Sequence, residues 1–120
     1  MHELSIAQSI IETIKEHVPE NRLPDVSSVI VKVGEMSGVI AESLKFSFSA
    51  IIVDSELRNT KLVIQEIPFV LYCNDCLSSI HTEYGLRVCS NCGNRNTKVV
   101  SGLELHVGEI VLEDKDKELV

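Results

Sequence analysis

The chain has no tryptophan, and only two tyrosines and three phenylalanines in 120 residues. Any core must therefore be built from aliphatic side chains. It also has no block of basic residues, and its net charge is −7. That balance excludes counterion-release binding to DNA or RNA as the main activity. Its apolar runs stop far short of a membrane span, and no signal-peptide pattern precedes the polar start. A cytoplasmic protein that enters no membrane is the expectation. The length suits one domain, or one domain carrying an inserted module.

What is present is strongly periodic. Leu4, Ala7, Ile10, Ile11, Ile14 and Val18 recur at helical spacing, with Gln8, Glu12, Lys15 and Glu16 opposite and Pro19 as the stop. Ser5 and Gln8 form a candidate capping box at its start. Residues 21–25, containing Pro24, read as a loop. From Val26 to Val33 the chain is rich in strand formers, with Val29, Val31 and Val33 on one face. A turn-rich break, Gly34-Glu35-Met36-Ser37-Gly38, leads to a second helix over Ala41–Val53. Leu44, Phe48 and Ile51 are its expected apolar stripe, widened by Phe46, Ala50 and Val53. A second strand is expected near Thr60–Pro68. A third is expected near Gly102–Glu113, with Leu103, Leu105 and Val107 alternating and Gly108 as a candidate bulge. The ending over residues 113–118 is a mixed charge run and reads as a solvated tail. These elements make an α+β domain of two helices and a three-stranded sheet, over residues 1–68 and 102–120. Residues 69–101 form an inserted module of different composition.

The module holds all four cysteines as Cys73-x-x-Cys76 and Cys89-x-x-Cys92. In a reducing compartment such pairs are metal ligands rather than disulfides. Cys-x-x-Cys turns back so that both sulfurs face one ion, and Gly93 suits the tight turn after the second pair. Leu77 takes the matching place after the first. Twelve residues lie between the pairs, enough for a short hairpin through Thr82–Leu86. Four thiolates favour tetrahedral zinc; an iron-thiolate electron carrier and a redox dithiol pair are the alternatives. Four protein ligands leave zinc no open position, so the site is structural, folding about thirty residues with little core of their own. For His81, inside the module, two readings stand: a substitute ligand or an exposed loop histidine. Arg87, Arg95 and Lys98 are roughly matched by Asp75, Glu83 and the ligand charge, which favours a protein-contacting or structural ribbon over a nucleic-acid reader.

Met1-His2-Glu3 places a free amine, an imidazole and a carboxylate within three residues. The plain reading is an initiator methionine and two polar residues opening a helix. The chemical reading is a chelate of the amine, the backbone nitrogens of His2 and Glu3, and the His2 imidazole. Such nitrogen-rich, near-planar sets suit nickel(II) or copper(II). They also depend on pH, because every donor must give up a proton.

With Met1-His2-Glu3 opening a helix, Val33-Gly34-Glu35 closing a strand, and the paired cysteines before Gly102-Leu103-Glu104-Leu105, the chain resembles the HypA/HybF family along essentially its whole length. The resemblance implies a nickel metallochaperone of NiFe hydrogenase maturation, and no enzyme. It places nickel, as transferred cargo, on Met1, His2 and Glu3, and structural zinc on Cys73, Cys76, Cys89 and Cys92. Some members add a carboxylate from the start of the second helix; here only Glu42 offers one, and a surface glutamate at a helix start is its other reading. The partners implied are the GTPase HypB, the hydrogenase large-subunit precursor and, for some members, urease maturation. Zinc-lobe geometry responsive to nickel or pH, with His81 as a proton-sensitive contact, is a further expectation of the same kind. Against these stand a zinc-ribbon adaptor that never meets nickel, and a hydrolase using Glu35 or Glu104, for which no nucleophile-base pair is discernible.

Overall fold

The computed structural model describes residues 3–113. Its elements are α1 (Glu3–His17), a 3-10 turn (Glu20–Asp25), β1 (Val26–Gly34), α2 (Ala41–Ile52), β2 (Lys61–Ile67), β3 (Val70–Cys73), β4 (Ser78–His81), β5 (Thr97–Ser101) and β6 (Leu105–Leu112). This is the expected α+β class. Two helices accompany a three-stranded sheet of order β2-β1-β6, and a second small sheet of order β4-β3-β5 carries the cysteines.

The chain divides into two compact units. The first comprises the chain up to Val31, Val39–Gln65 and the chain from His106. Its core is mainly aliphatic, as the scarcity of aromatic residues requires, with Phe48 the aromatic exception. Ala7, Ile10, Ile11 and Ile14 of α1 are buried, as are Leu44, Phe48 and Ile52 of α2 and Val26, Val29 and Val31 of β1. The period-2 alternation of β1 and the 3.6 period of α1 put these side chains on single faces. Thr60 is buried too, and its hydroxyl donates to the Val26 carbonyl at 2.9 Å.

Several expectations need correction. Ser5 lies inside α1, where its carbonyl accepts the Ser9 hydroxyl, so it is not a cap. The loop over 21–25 is instead a 3-10 turn that buries Leu23. In α2 the buried stripe runs Leu44–Phe48–Ile52, while Phe46 and Val53 are 76% and 62% exposed. Phe46 stands about 200° around the helix from Leu44, so it cannot share that face. The last strand begins only at Leu105 and leaves Leu103 exposed ahead of it.

The second unit comprises Lys32–Gly38 and Glu66–Leu105, wider than the span 69–101. It is wider because the 34–36 turn grips both legs of the cysteine-bearing excursion. The Gly34 amide donates to the Glu104 carbonyl at 2.7 Å, the Glu35 amide to Ile67 at 2.8 Å and the Met36 amide to Gly102 at 2.8 Å. Above this root, β4 and β5 each pair antiparallel with β3, Cys73 lying opposite both Ser78 and Thr97. The hairpin turn between β3 and β4 is thus the first cysteine knuckle itself, rather than the Thr82–Leu86 segment. That segment is a separate turn, with Tyr84 and Gly85 at positive φ and the Thr82 hydroxyl donating to the Leu86 carbonyl at 2.7 Å.

Candidate metal centres

The two knuckles are built alike. After the first pair the Leu77 amide donates to the Cys73 carbonyl, and after the second the Gly93 amide donates to the Cys89 carbonyl, both at 2.8 Å. Both turning residues have positive φ, 54° at Leu77 and 77° at Gly93. The Cys76 amide points to Cys73 Sγ at 3.4 Å, and the Cys92 amide to Cys89 Sγ at 3.5 Å. Each knuckle therefore aims backbone donors at its first sulfur, the arrangement that supports a thiolate.

The knuckles meet sulfur to sulfur. Cys73 and Cys92 approach to 3.7 Å, Cys76 and Cys89 to 3.9 Å, and all four Sγ atoms lie within 4.8 Å of one another. A tetrahedral zinc with bonds of about 2.3 Å requires sulfurs about 3.8 Å apart. The four-cysteine cluster therefore fits zinc. No disulfide links these thiols. Electrostatics point the same way, because four sulfurs so close resist shared ionisation. The Asn91 amide pulls the Cys76 thiol down, yet the neighbouring sulfurs and desolvation push it up to about 12. The Cys92 amide is the main cause that brings Cys89 down to about 7. A divalent cation relieves the repulsion and lets all four ionise. Cys73 and Cys89 are buried, while Cys92 is exposed.

Three asparagines, which the composition marks only as loop residues, tie the knuckles together. Asn91 Nδ2 donates across to Cys76 Sγ at 3.5 Å, and Asn74 Nδ2 donates to Asn96 Oδ1 at 3.1 Å. The Asn74 amide also reaches the Asn96 carbonyl at 3.0 Å. The usable sequence signal is an asparagine inside or beside each Cys-x-x-Cys, since a side-chain amide can bridge to a sulfur or a free carbonyl.

His81 does not join the cluster. It ends β4, and its Nε2 donates to Glu35 Oε1 at 3.0 Å; the same oxygen accepts the Phe69 amide at 2.7 Å. The Phe69 amide, then His81, hold the Glu35 carboxyl below its ordinary value. Glu35 is thus a structural acceptor. Glu104 likewise accepts the Gly102 amide at 2.7 Å. Lys98 lies over the Tyr72 ring, 5.3 Å from its centroid.

Of the residues assigned to nickel, Met1 and His2 lie outside the described residues. Glu3 opens α1, and its Oε2 is the one buried side-chain oxygen or nitrogen without a hydrogen-bond partner among the described residues. A buried carboxylate oxygen in that condition is costly unless a donor or cation meets it. Glu42 sits exposed in the first turn of α2, where a negative charge favours the helix dipole. Among the described residues, the four cysteines are the only cluster of three or more metal-ligating side chains.

A family model described as hydrogenase/urease nickel incorporation, metallochaperone, hypA matches residues 1–112. The hydrogenase maturation factor HypA of Geotalea uraniireducens is 33% identical over 113 residues, covering 94% of this chain and all of that protein. Its counterpart in Chlorobaculum parvum is 35% identical with the same coverage. The solution structure of the nickel metallochaperone HypA from Helicobacter pylori superposes with a TM-score of 0.63. That match is 24% identical and covers 93% of this chain and 97% of that one. A second HypA solution structure gives 0.67, also at 24% identity, covering 94% and 97%. At that identity the two structures speak for the fold.

Proposed function

Since the chain belongs to the HypA family of nickel-incorporating metallochaperones, we propose that it takes up nickel(II) at its N-terminus and delivers it during hydrogenase maturation. The family is one of maturation factors rather than enzymes. It binds nickel, and the cysteine cluster fits structural zinc. The finer reading assigns the cargo to the Met1 amine, the His2 amide and imidazole, and the Glu3 amide. The observation that carries it is the family match across residues 1–112, which includes these three. The unpartnered Glu3 Oε2 beside them supports a carboxylate contact to the same cation. Glu42, exposed at the start of α2, has no observation in its favour as a further ligand.

In this reading residues 1–68 and 102–120 form the nickel-binding domain, and 69–101 the zinc-binding one. The zinc lobe holds its shape, while the terminal chelate releases cargo by ligand exchange. Protonation of amine and imidazole weakens the chelate, so acid favours release. A GTPase of the HypB type and the hydrogenase large-subunit precursor are the partners proposed, with urease maturation proteins as further clients. The cytoplasm is the compartment proposed; among the described residues no helix is long and apolar enough to cross a membrane.

The test is a nickel titration of tag-free protein beside a His2→Ala variant, with zinc measured in both. Loss of the tight nickel site at unchanged zinc content is the expected result. Equal nickel binding by the variant would overturn the assignment and favour an adaptor that never handles nickel. An N-terminal tag should abolish the site as well, because it converts the α-amine into an amide.

A further inference from the structure

β6 is an end strand of the sheet β2-β1-β6. It is eight residues long, and each residue from Leu105 to Leu112 is at least partly exposed. The Glu113 amide donates to the Asp25 carbonyl at 2.8 Å, and the Ser27 hydroxyl donates to the Val111 carbonyl at 3.2 Å. Positions 111 and 113 therefore face β1. The Glu104 carbonyl also faces β1, so the alternation shifts by one residue between Glu104 and Val111, where Gly108 lies; beyond that shift, Ile110 and Leu112 direct their backbone N–H and C=O groups to the outer edge. The opposite end strand, β2, is protected in the usual way, carrying Lys61 and Glu66 and followed at once by Pro68. β6 has no proline, lysine or arginine. Beside it Thr13 and His17 of α1, with Val107, Gly108, Glu109 and Ile110, line a groove of about 280 Å³. His17 Nδ1 donates to the Thr13 carbonyl at 2.8 Å.

We propose that the outer edge of β6 is a docking strand, and that it takes an extended basic segment of another protein as a fourth strand of the sheet. Main-chain bonds at Ile110 and Leu112 would supply attachment, and charge would supply the choice of partner. From Val99 to Asp114 the chain has no lysine or arginine, whereas Glu109 and Glu113 lie along the strand or at its end. A second copy of this chain is a poor occupant. Two-fold pairing of the strand with itself centred on Glu109 sets that residue opposite its own copy. That register brings two carboxylates together with no lysine or arginine between them, and like charges across strands are unfavourable. Alternating lysines on an incoming strand reverse that sign. This inference is independent of the nickel reading.

The experiment uses the full, zinc-loaded chain and an eight-residue blocked peptide of alternating lysine and valine. Backbone amide shifts and amide exchange are followed by nuclear magnetic resonance. Saturable shifts along β6, with exchange slowed at Ile110 and Leu112 but not at Val111, are expected. A matching peptide with a central proline should bind about fivefold more weakly, since it lacks one ladder donor. Glu109→Lys, an exposed site, should weaken the lysine peptide about fivefold and strengthen a glutamate–valine peptide. Equal binding of the proline peptide, or shifts spread over the acidic face of α1 without protection at Ile110 and Leu112, would overturn the proposal. So would protection of those two amides that rises with protein concentration alone, because a second copy would then be the occupant.

Discussion

Replacing Gly34 by alanine tests the root of the zinc-bearing unit. A Cβ there would lie 2.2 Å from both the carbonyl carbon and oxygen of Gly102, and 2.5 Å from the Leu103 nitrogen. All three neighbours are backbone, so no rotamer change relieves the overlap. Separation to ordinary contact needs about 1 Å of movement between two strands that bond at 2.7 Å through the Gly34 amide. Overpacking of this kind costs about 1–3 kcal/mol. Losing the Gly34–Glu104 and Met36–Gly102 bonds adds about 0.5–1.5 kcal/mol each. We expect about 3 kcal/mol or more in total. Gly38→Ala is the matched control, since Gly38 has φ of 85° but nothing within 4 Å of the added carbon. Its left-handed backbone costs about 1–2 kcal/mol. The less flexible unfolded chain returns about 0.4–1 kcal/mol. Its net cost is therefore about 0–1.6 kcal/mol. Gly102→Ala combines both penalties, with φ of 108° and a contact 2.4 Å from Phe69 Cα, and should be the worst of the three. The assay is amide exchange at Gly34 and Met36 in zinc-loaded protein, backed by thermal unfolding. If Gly34→Ala costs no more than Gly38→Ala, the close crossing of these strands is not what holds the root.

Other expectations are quickly checked. Phe48→Ala, at a fully buried position, should cost about 3–5 kcal/mol. Phe46→Ala, at an exposed one, should change stability by under about 0.5 kcal/mol, and chemical denaturation separates the two. Chelation of zinc should abolish amide protection in β3 and β5 while leaving the helical circular dichroism of α1 and α2, because the sulfur cluster forms much of the second unit's small buried interior. Glu35 has a lowered carboxyl pKa in the fold, so its stabilisation is present above the ordinary carboxylate range and is lost as pH falls through the lowered value. The Phe69 amide shift should report that titration. His81→Ala should move its midpoint only part of the way up, since the Phe69 amide is the larger cause; a midpoint that does not move would deny the His81 contact any electrostatic role.

How far the chain could be read from its residues depends on whether the determining contact is local. α1 and β1 were legible because a single period carries their burial, and the cysteine pairs because coordination geometry dictates their spacing. α2 was misread at Phe46 and Val53: hydrophobicity alone made them core, while helical angle puts them on the solvent side. The proposed N-terminal ligands rest only on family resemblance, since an amine and an imidazole at a chain start are common without a metal.

Glu35 shows the other limit. Next to Gly34 it reads as an ordinary turn carboxylate, and His81, 46 positions later, as a loop histidine. Nothing in either neighbourhood names the other. Their meeting is produced by three backbone bonds from the 34–36 turn to segments that lie next to each other only once the excursion has closed on itself. Those bonds require Gly34 and Gly102 to pass at a distance that no side chain permits. The legible sign was therefore the glycine in Val33-Gly34-Glu35, rather than the glutamate. A glycine ending a strand marks a close backbone approach, and the carboxylate beside it is then positioned to take whatever amide the approaching strand leaves open, here that of Phe69.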